Sequence, residues 1–377
     1  MKTGSSLVHL LLVMCVAAGV SRPAIHISRQ DGRMTSGVQV HTNVSGTYQG
    51  HIARLNSNGS LDTNFNAGAG ADGPVAALAV QTDGRILLGG AFATVNYVSR
   101  TNIARLNSNG SLDMDFDPGT GVSSDASSTV NSLVLQGDGK VVIGGVFSKV
   151  DDMPRNNIAR LNANGSLDTG FVPNVGVAGA GLLAGVNALA IQSDDRIRIG
   201  GDFTSVAGSA RTNIARLSAA GSVDMTFNPA AVADSAVSTV AVDNNGKILI
   251  GGFFSHVNGT ARNYVARLDN AGGLDAGFDP GSGADDTVYV TALQADRKVL
   301  IGGSFTRFAG VSRPGIARLK GDVVLTTPEL VNLVHSKRCF QCVFGHGERG
   351  ELFPGTQGLA DCGHLDSIAS GCGRWHS

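Results

Sequence analysis

Residues 52–65 read IARLNSNGSLDTNF. The text returns as IARLNSNGSLDMDF at 103–116 and as IARLNANGSLDTGF at 158–171. Within it, Ser57-Asn58-Gly59 lies between two short apolar runs. Asn-Gly at that place signals a hairpin, because the turn needs positive φ and Asn and Gly adopt it at least cost. With Gly as the left-handed residue of a three-residue loop, Asn56 closes on Ser60, Leu55 faces Leu61 and Arg54 faces Asp62. The stretch therefore reads as a self-contained hairpin carrying one cross-strand ion pair.

The hairpin belongs to a longer period. Ile-Ala-Arg-Leu begins at Ile52, Ile103, Ile158, Ile214 and Ile316, with a Val265 version between, at spacings of 51, 55, 56, 51 and 51. A second anchor, Gly-Gly-x-Phe, begins at Gly89, Gly144, Gly200, Gly251 and Gly302. Each unit reads as four short strands. In the second, VAALAVQ (75–81) is a strand, Thr82-Asp83-Gly84 a turn, RILLGGAF (85–92) the return strand, 103–107 the third strand and 111–116 the fourth. The first two strands are apolar almost throughout, as expected of sheets buried on both faces. Four strands in about 50 residues, repeated about six times, predict an all-β chain folded as a β-propeller of about six four-stranded blades. The order QTDGRILLGG, Phe, Arg-x-Asn, IARLNSNGSLDTNF resembles the delta-60 repeat family, with kelch-like use of Gly-Gly. The resemblance covers residues 31–319 and implies a β-propeller of the kind seen in bacterial secreted and surface proteins.

Composition agrees with this reading. Only 16% of the 377 residues are charged and the net charge is −1, so nothing favours nucleic acid as a partner. Glycine numbers 52, about twice the usual share, which suits many turns. The only glutamates are Glu329, Glu348 and Glu351, so the repeats use aspartate, a turn former, in place of glutamate, a helix former. The ends differ from the repeats. Residues 1–20 hold a 14-residue apolar run (7–20, LVHLLLVMCVAAGV) after a basic start, the pattern of a secretory signal peptide. Residues 21–326 are assigned to the propeller. Residues 327–377 form a Cys/His/Gly-rich, irregular tail. In it Cys339, Cys342, Cys362 and Cys372 fit either zinc or two disulfides, though the later spacing is wider than a zinc site prefers.

The Arg–Asp offset of eight residues recurs at Arg54–Asp62, Arg105–Asp113, Arg160–Asp168, Arg216–Asp224 and Arg267–Asp275. Structural ion pairs are the expectation, and a ring of anion-binding arginines is the alternative. A second series, Arg100, Arg155, Arg211, Arg262 and Arg313, is expected to brace the next blade through backbone carbonyls. Asp113, Asp115 and Asp117 alternate like a calcium loop, but the other repeats do not keep the pattern. Two phenylalanine series, at 65, 116, 171, 227 and 278 and at 92, 147, 203, 254 and 305, are expected in the core between blades. The asparagine of each Asn-Gly-Ser triplet is explained by the turn. Between residues 22 and 320 there is no Glu, and the histidines are His26, His41, His51 and His256. No enzyme and no cofactor are therefore expected. The functional expectation is a non-catalytic scaffold, secreted or on the cell surface, for a protein or carbohydrate partner, with no membrane span once the signal is removed. Specificity is expected in the loops 122–129 and 175–185. The rivals are a glycan hydrolase or lyase with a site in the axial mouth, and a purely structural module of a surface protein.

Overall fold

The computed structural model describes residues 25–320, except 31–32, 39–41, 45–46, 50, 59, 125–126, 172–175, 180–183, 193, 228–232 and 295, with side chains from residue 51 onward. The chain divides into two units, Met1–His335 and Ser336–Ser377, and every described residue lies in the first. The signal expected at 1–20 and the cysteines Cys339, Cys342, Cys362 and Cys372 lie outside the described residues.

Every regular element described is a strand. Six antiparallel sheets follow one another along the chain, each with a first, a middle and a third strand. They are Ile25–Gln30, Arg33–Val38 and Ile52–Leu55; Val75–Val80, Ile86–Gly90 and Ile103–Leu106; Thr129–Leu135, Val141–Val146 and Ile158–Leu161; Gly185–Ile191, Ile197–Asp202 and Ile214–Leu217; Val237–Val242, Ile248–Gly252 and Val265–Leu268; Val288–Leu293, Val299–Gly303 and Ile316–Leu319. The first strand of each sheet lies against the first strand of the next, so the first strands are the inner ones. The fold is a β-propeller built from these repeats.

The fourth strand is present as a single bridged pair: Leu55 with Leu61, Leu106 with Leu112, Leu161 with Leu167, Leu217 with Val223 and Leu268 with Leu274. Pairing stops there because the next residue is Asp. The Asp113 carboxylate accepts the Asp115 amide at 3.0 Å, and the Phe116 residue that follows is buried. A side-chain turn thus displaces the ladder, as short acidic side chains do.

The loop expected after each Gly-Gly-x-Phe holds a further hairpin. Thr94–Val95 pairs with Val98–Ser99, and equivalents recur as far as Arg307–Phe308 with Val311–Ser312. The two connecting residues have positive φ, as at Asn96 (52°) and Tyr97 (64°), the requirement of a type I′ turn. The inward residues Val95, Val150, Val206, Val257 and Phe308 are fully buried and close one end of the core.

The core lies between sheets. One cluster joins Leu87 of the second sheet to Val141, Ile143 and Leu161 of the third, with Phe116 and Phe147 between them. Both phenylalanine series are buried there. The Gly-Gly pair follows from the same closeness. A Cβ on Gly144 would meet Val186 of the next sheet at 2.5 Å, and one on Gly145 would meet the Thr129 carbonyl of its own sheet at 1.9 Å. The first glycine admits the neighbouring sheet, and the second admits a bulge in the inner strand.

Candidate functional site

The sheets have two ends. At one end lie the turns between first and middle strands and the Asn-Gly turns. At the other lie the Gly-Gly pairs and the inner-strand bulges.

The structure brings together each Arg and Asp of the eight-residue offset. Nε to Oδ2 is 2.8 Å for Arg54–Asp62, 2.7 Å for Arg105–Asp113, 2.8 Å for Arg160–Asp168, 2.7 Å for Arg216–Asp224 and 2.6 Å for Arg267–Asp275. Each guanidinium lies 4.7–5.2 Å over the phenylalanine ring that ends its repeat. A second cation shares four of these aspartates: Arg85 at 3.4 Å from Asp113, Lys140 at 2.9 Å from Asp168, Arg196 at 3.6 Å from Asp224 and Lys247 at 3.0 Å from Asp275. Burial works to raise the Asp168, Asp224 and Asp275 carboxyls, and hydrogen bonds and arginine charge outweigh it. For Asp224 the Thr226 hydroxyl and amide and Arg216 together hold the pKa at about 2.

The hairpin is not self-contained. The free arm of four of these arginines reaches the next repeat: Arg54 Nη1 donates to Ser108 O, Arg105 to Ala163 O, Arg160 to Ala219 O and Arg216 to Asn270 O. The returning contact is made by backbone, Asn66 N to Asn109 O and Asp117 N to Asn164 O, both at 2.8 Å. The turn glycine is where the clasp closes. Gly110 has φ of 95°, and a Cβ there would meet the Asn66 backbone at 2.7 Å. The repeated stretch is therefore a clasp between consecutive repeats.

The other arginine series has a different partner from the one expected. Arg100, Arg155, Arg211, Arg262 and Arg313 each donate Nη1 to the carbonyl of the residue just before, within their own hairpin. The brace to the next blade on this side comes instead from the asparagine two residues later. Asn102 has φ of 64°, accepts the Phe92 amide at 3.0 Å and donates to Val122 O at 2.8 Å in the next repeat. Asn157 and Asn213 repeat the arrangement. Arg-x-Asn carried that signal in the sequence, but at the asparagine.

Asp113 is buried on Arg105, whereas Asp115 and Asp117 are exposed, and Asp117 accepts the Gly119 amide at 3.1 Å. Among the described residues no three His, Cys, Asp or Glu side chains gather in metal-binding fashion. Ser255, His256 and Asp234 meet, but His256 Nδ1 faces both the Ser255 hydroxyl (2.9 Å) and Asp234 Oδ2 (3.2 Å). A relay needs one ring nitrogen for each. Asp72 with Thr94 and Asp285 with Thr306 build the same loop without histidine, so the cluster is a loop cap.

At the bulge end the repeat breaks down. The bulges leave Ala76, Asn131, Asn187, Ser238 and Tyr289 unpaired on the inner strands. The residues after Gly-Gly are Ala91, Val146, Asp202, Phe253 and Ser304. All ten are at least partly exposed and differ in chemistry. Some bridge sheets: Asn131 Nδ2 donates to Val186 O at 3.1 Å and Asn187 Nδ2 to Val237 O at 3.2 Å. The fifth and sixth sheets instead juxtapose two aromatic rings, Phe253 and Tyr289.

One further departure is internal. Arg198 stands in the middle strand where the other sheets have Leu87, Val142, Leu249 and Leu300, and it is fully buried. Its Nη2 donates to Asn270 Oδ1 at 2.8 Å, and its guanidinium lies 5.2 Å over Phe227. Burial, then the nearby Arg216 charge, lowers its pKa to about 9. A charged residue inside the apolar text IRIGGD was the signal for it.

A β-propeller domain of unknown function, DUF5122, matches at residues 30–65, 81–116, 136–171, 192–227, 244–278 and 294–322, together more than half of the chain. The segments run from the first turn of each repeat toward its last phenylalanine and leave out most of the inner strands. No curated protein matches. Among solved structures, the extracellular domain of a hybrid two-component system from B. thetaiotaomicron is similar at 12% identity and a TM-score of 0.48, over 80% of this chain and 34% of that one. PorZ, a surface component of the type-IX secretion system of Porphyromonas gingivalis, is similar at 11% identity and a TM-score of 0.41, over 73% and 36%. The Pan2 WD40 domain of Neurospora crassa is similar at 12% and 0.41, over 74% of each chain. The chain thus spans about a third of the length of the first two.

Proposed function

The chain belongs to the DUF5122 β-propeller family, and from that premise we propose that it is a non-catalytic binding scaffold working outside the cell. We place it more finely with the delta-60 repeats, on the strength of QTDGRILLGG and IARLNSNGSLDTNF. The reading is carried by one observation: side chains that depart from the repeat gather at the bulge end, while the recurring polar side chains at the turn end are engaged in clasps. A surface freed from structural duty is where a partner is recognised. Described parts of the loops at 122–129 and 175–185, among them Val122–Ser123 and Val177–Ala178, precede inner strands that begin at that end. The apolar run at 7–20 supports export.

A photo-crosslinking amino acid tests the reading when placed at Asp202, on the bulge end, or at Asp83, in a turn at the opposite end. On living cells that secrete the protein, adducts are expected from position 202 and not from 83. Adducts from 83 alone, or equal adducts from both, would reject the assignment of the binding surface.

A further inference from the structure

Phe253 and Tyr289 are two independent departures from the repeat that meet. At the Phe253 position the other repeats carry Ala91, Val146, Asp202 and Ser304; at the Tyr289 position they carry Ala76, Asn131, Asn187 and Ser238. The fold therefore needs no aromatic ring at either place. The two rings stand 6.0 Å apart at 72°, an edge-to-face corner across the boundary of the fifth and sixth sheets. Phe253 is 40% exposed, one of few large apolar side chains left open to solvent. Two adjoining aromatic rings that the repeat does not require offer an apolar face to a ligand.

The polar groups around the corner narrow the ligand. The Ser304 hydroxyl donates to the Tyr289 hydroxyl at 3.3 Å. Asp286 is exposed on the loop leading into the Tyr289 strand, and Asp285 beside it caps the Thr306 loop. These groups are neutral hydroxyls, able to donate and accept, beside carboxylates that accept only. The carboxylates oppose an anion. A neutral pyranose fits both halves of the corner: its C–H face packs on an aromatic ring and its hydroxyls exchange hydrogen bonds with the Tyr289 and Ser304 hydroxyls.

We propose that Phe253 and Tyr289 form a stacking platform for a neutral hexose unit of a carbohydrate, with the Tyr289 and Ser304 hydroxyls supplying hydrogen bonds. The proposal rests on the scaffold reading and names its partner class.

The test uses the full chain and three neutral probes, cellohexaose, mannohexaose and maltohexaose, with a proline-rich decapeptide as the competing aromatic-binding ligand, all by calorimetric titration. Phe253→Ser and Tyr289→Asn are the variants, since the repeat itself carries Ser304 and Asn187 at those positions and both should fold. Binding of at least one hexaose is expected, weakened about tenfold or more by either variant. Circular dichroism and unfolding should stay as in the parent. No binding by any hexaose, or binding that neither variant weakens, overturns the platform. Binding of the decapeptide in place of the sugars, lost in Phe253→Ser, overturns the carbohydrate assignment and leaves the scaffold intact. The crosslinking at Asp202 uses neither aromatic residue, so failure of the scaffold is read separately.

Discussion

The two ends of the sheets are made by the same repeats and obey opposite rules. At the turn end nearly every repeat carries the same Arg, Asp and Phe and uses them the same way, as Arg105, Asp113 and Phe116 do. At the bulge end the equivalent positions hold Ala, Val, Asp, Phe and Ser. Sequence repetition in itself therefore says little about recognition. In a ring of similar sheets, each boundary poses the same packing problem, and repetition records its common solution. Function is to be sought where the solution is abandoned.

That contrast predicts unequal costs. The largest is expected for Asp113→Ala. It leaves the Arg105 guanidinium, only 5% exposed, without its carboxylate and should cost about 3–5 kcal/mol in urea unfolding. Next is Arg198→Leu, which restores the residue type of the other middle strands. It should stabilise by about 1–4 kcal/mol, because a buried charge with an incomplete partner set gives way to apolar packing. The pH dependence follows. With the folded pKa lowered to about 9, well below the ordinary guanidinium range, the unfolded chain holds the proton more tightly above pH 9. Stability of the parent from this group should rise as pH climbs above 9, and Arg198→Leu should remove that rise. Gly144→Ala comes third. Its Cβ would press on Val186 of the adjacent sheet, an overpacking worth about 1–3 kcal/mol. Smallest is Phe253→Ser, expected within about 1 kcal/mol of the parent, since its ring lies in no core cluster and loses one edge contact with Tyr289. A large cost there would erase the distinction between the ends.

The same contrast explains what could be read from the sequence. The blade count, the strand order and the place of Leu55 against Leu61 followed from local rules, turn chemistry and the two-residue period of a strand. The Arg–Asp offset is equally local, because the hairpin alone places the two side chains on one face. The destination of the arginine's other arm was not legible. Ala163 O lies 58 residues from Arg105, and only the packed neighbour puts it there. The bracing asparagines were hidden for the same reason, and the arginine before them drew the assignment. The fourth strand shortened because Asp113 turns the backbone that a ladder would have needed. The small hairpins were announced by Asn258-Gly259 but not by Asn96-Tyr97 or Asp151-Asp152, whose positive φ is imposed by the strands on either side. The aromatic corner needed the bulge, which brings Tyr289 out of the ladder and beside Phe253.

The most direct test of the division between the ends is a side-by-side urea unfolding of Asp113→Ala and Phe253→Ser against the parent. The midpoint should fall far for Asp113→Ala and little for Phe253→Ser, with similar slopes. Equal losses, or a larger loss for Phe253→Ser, would contradict it.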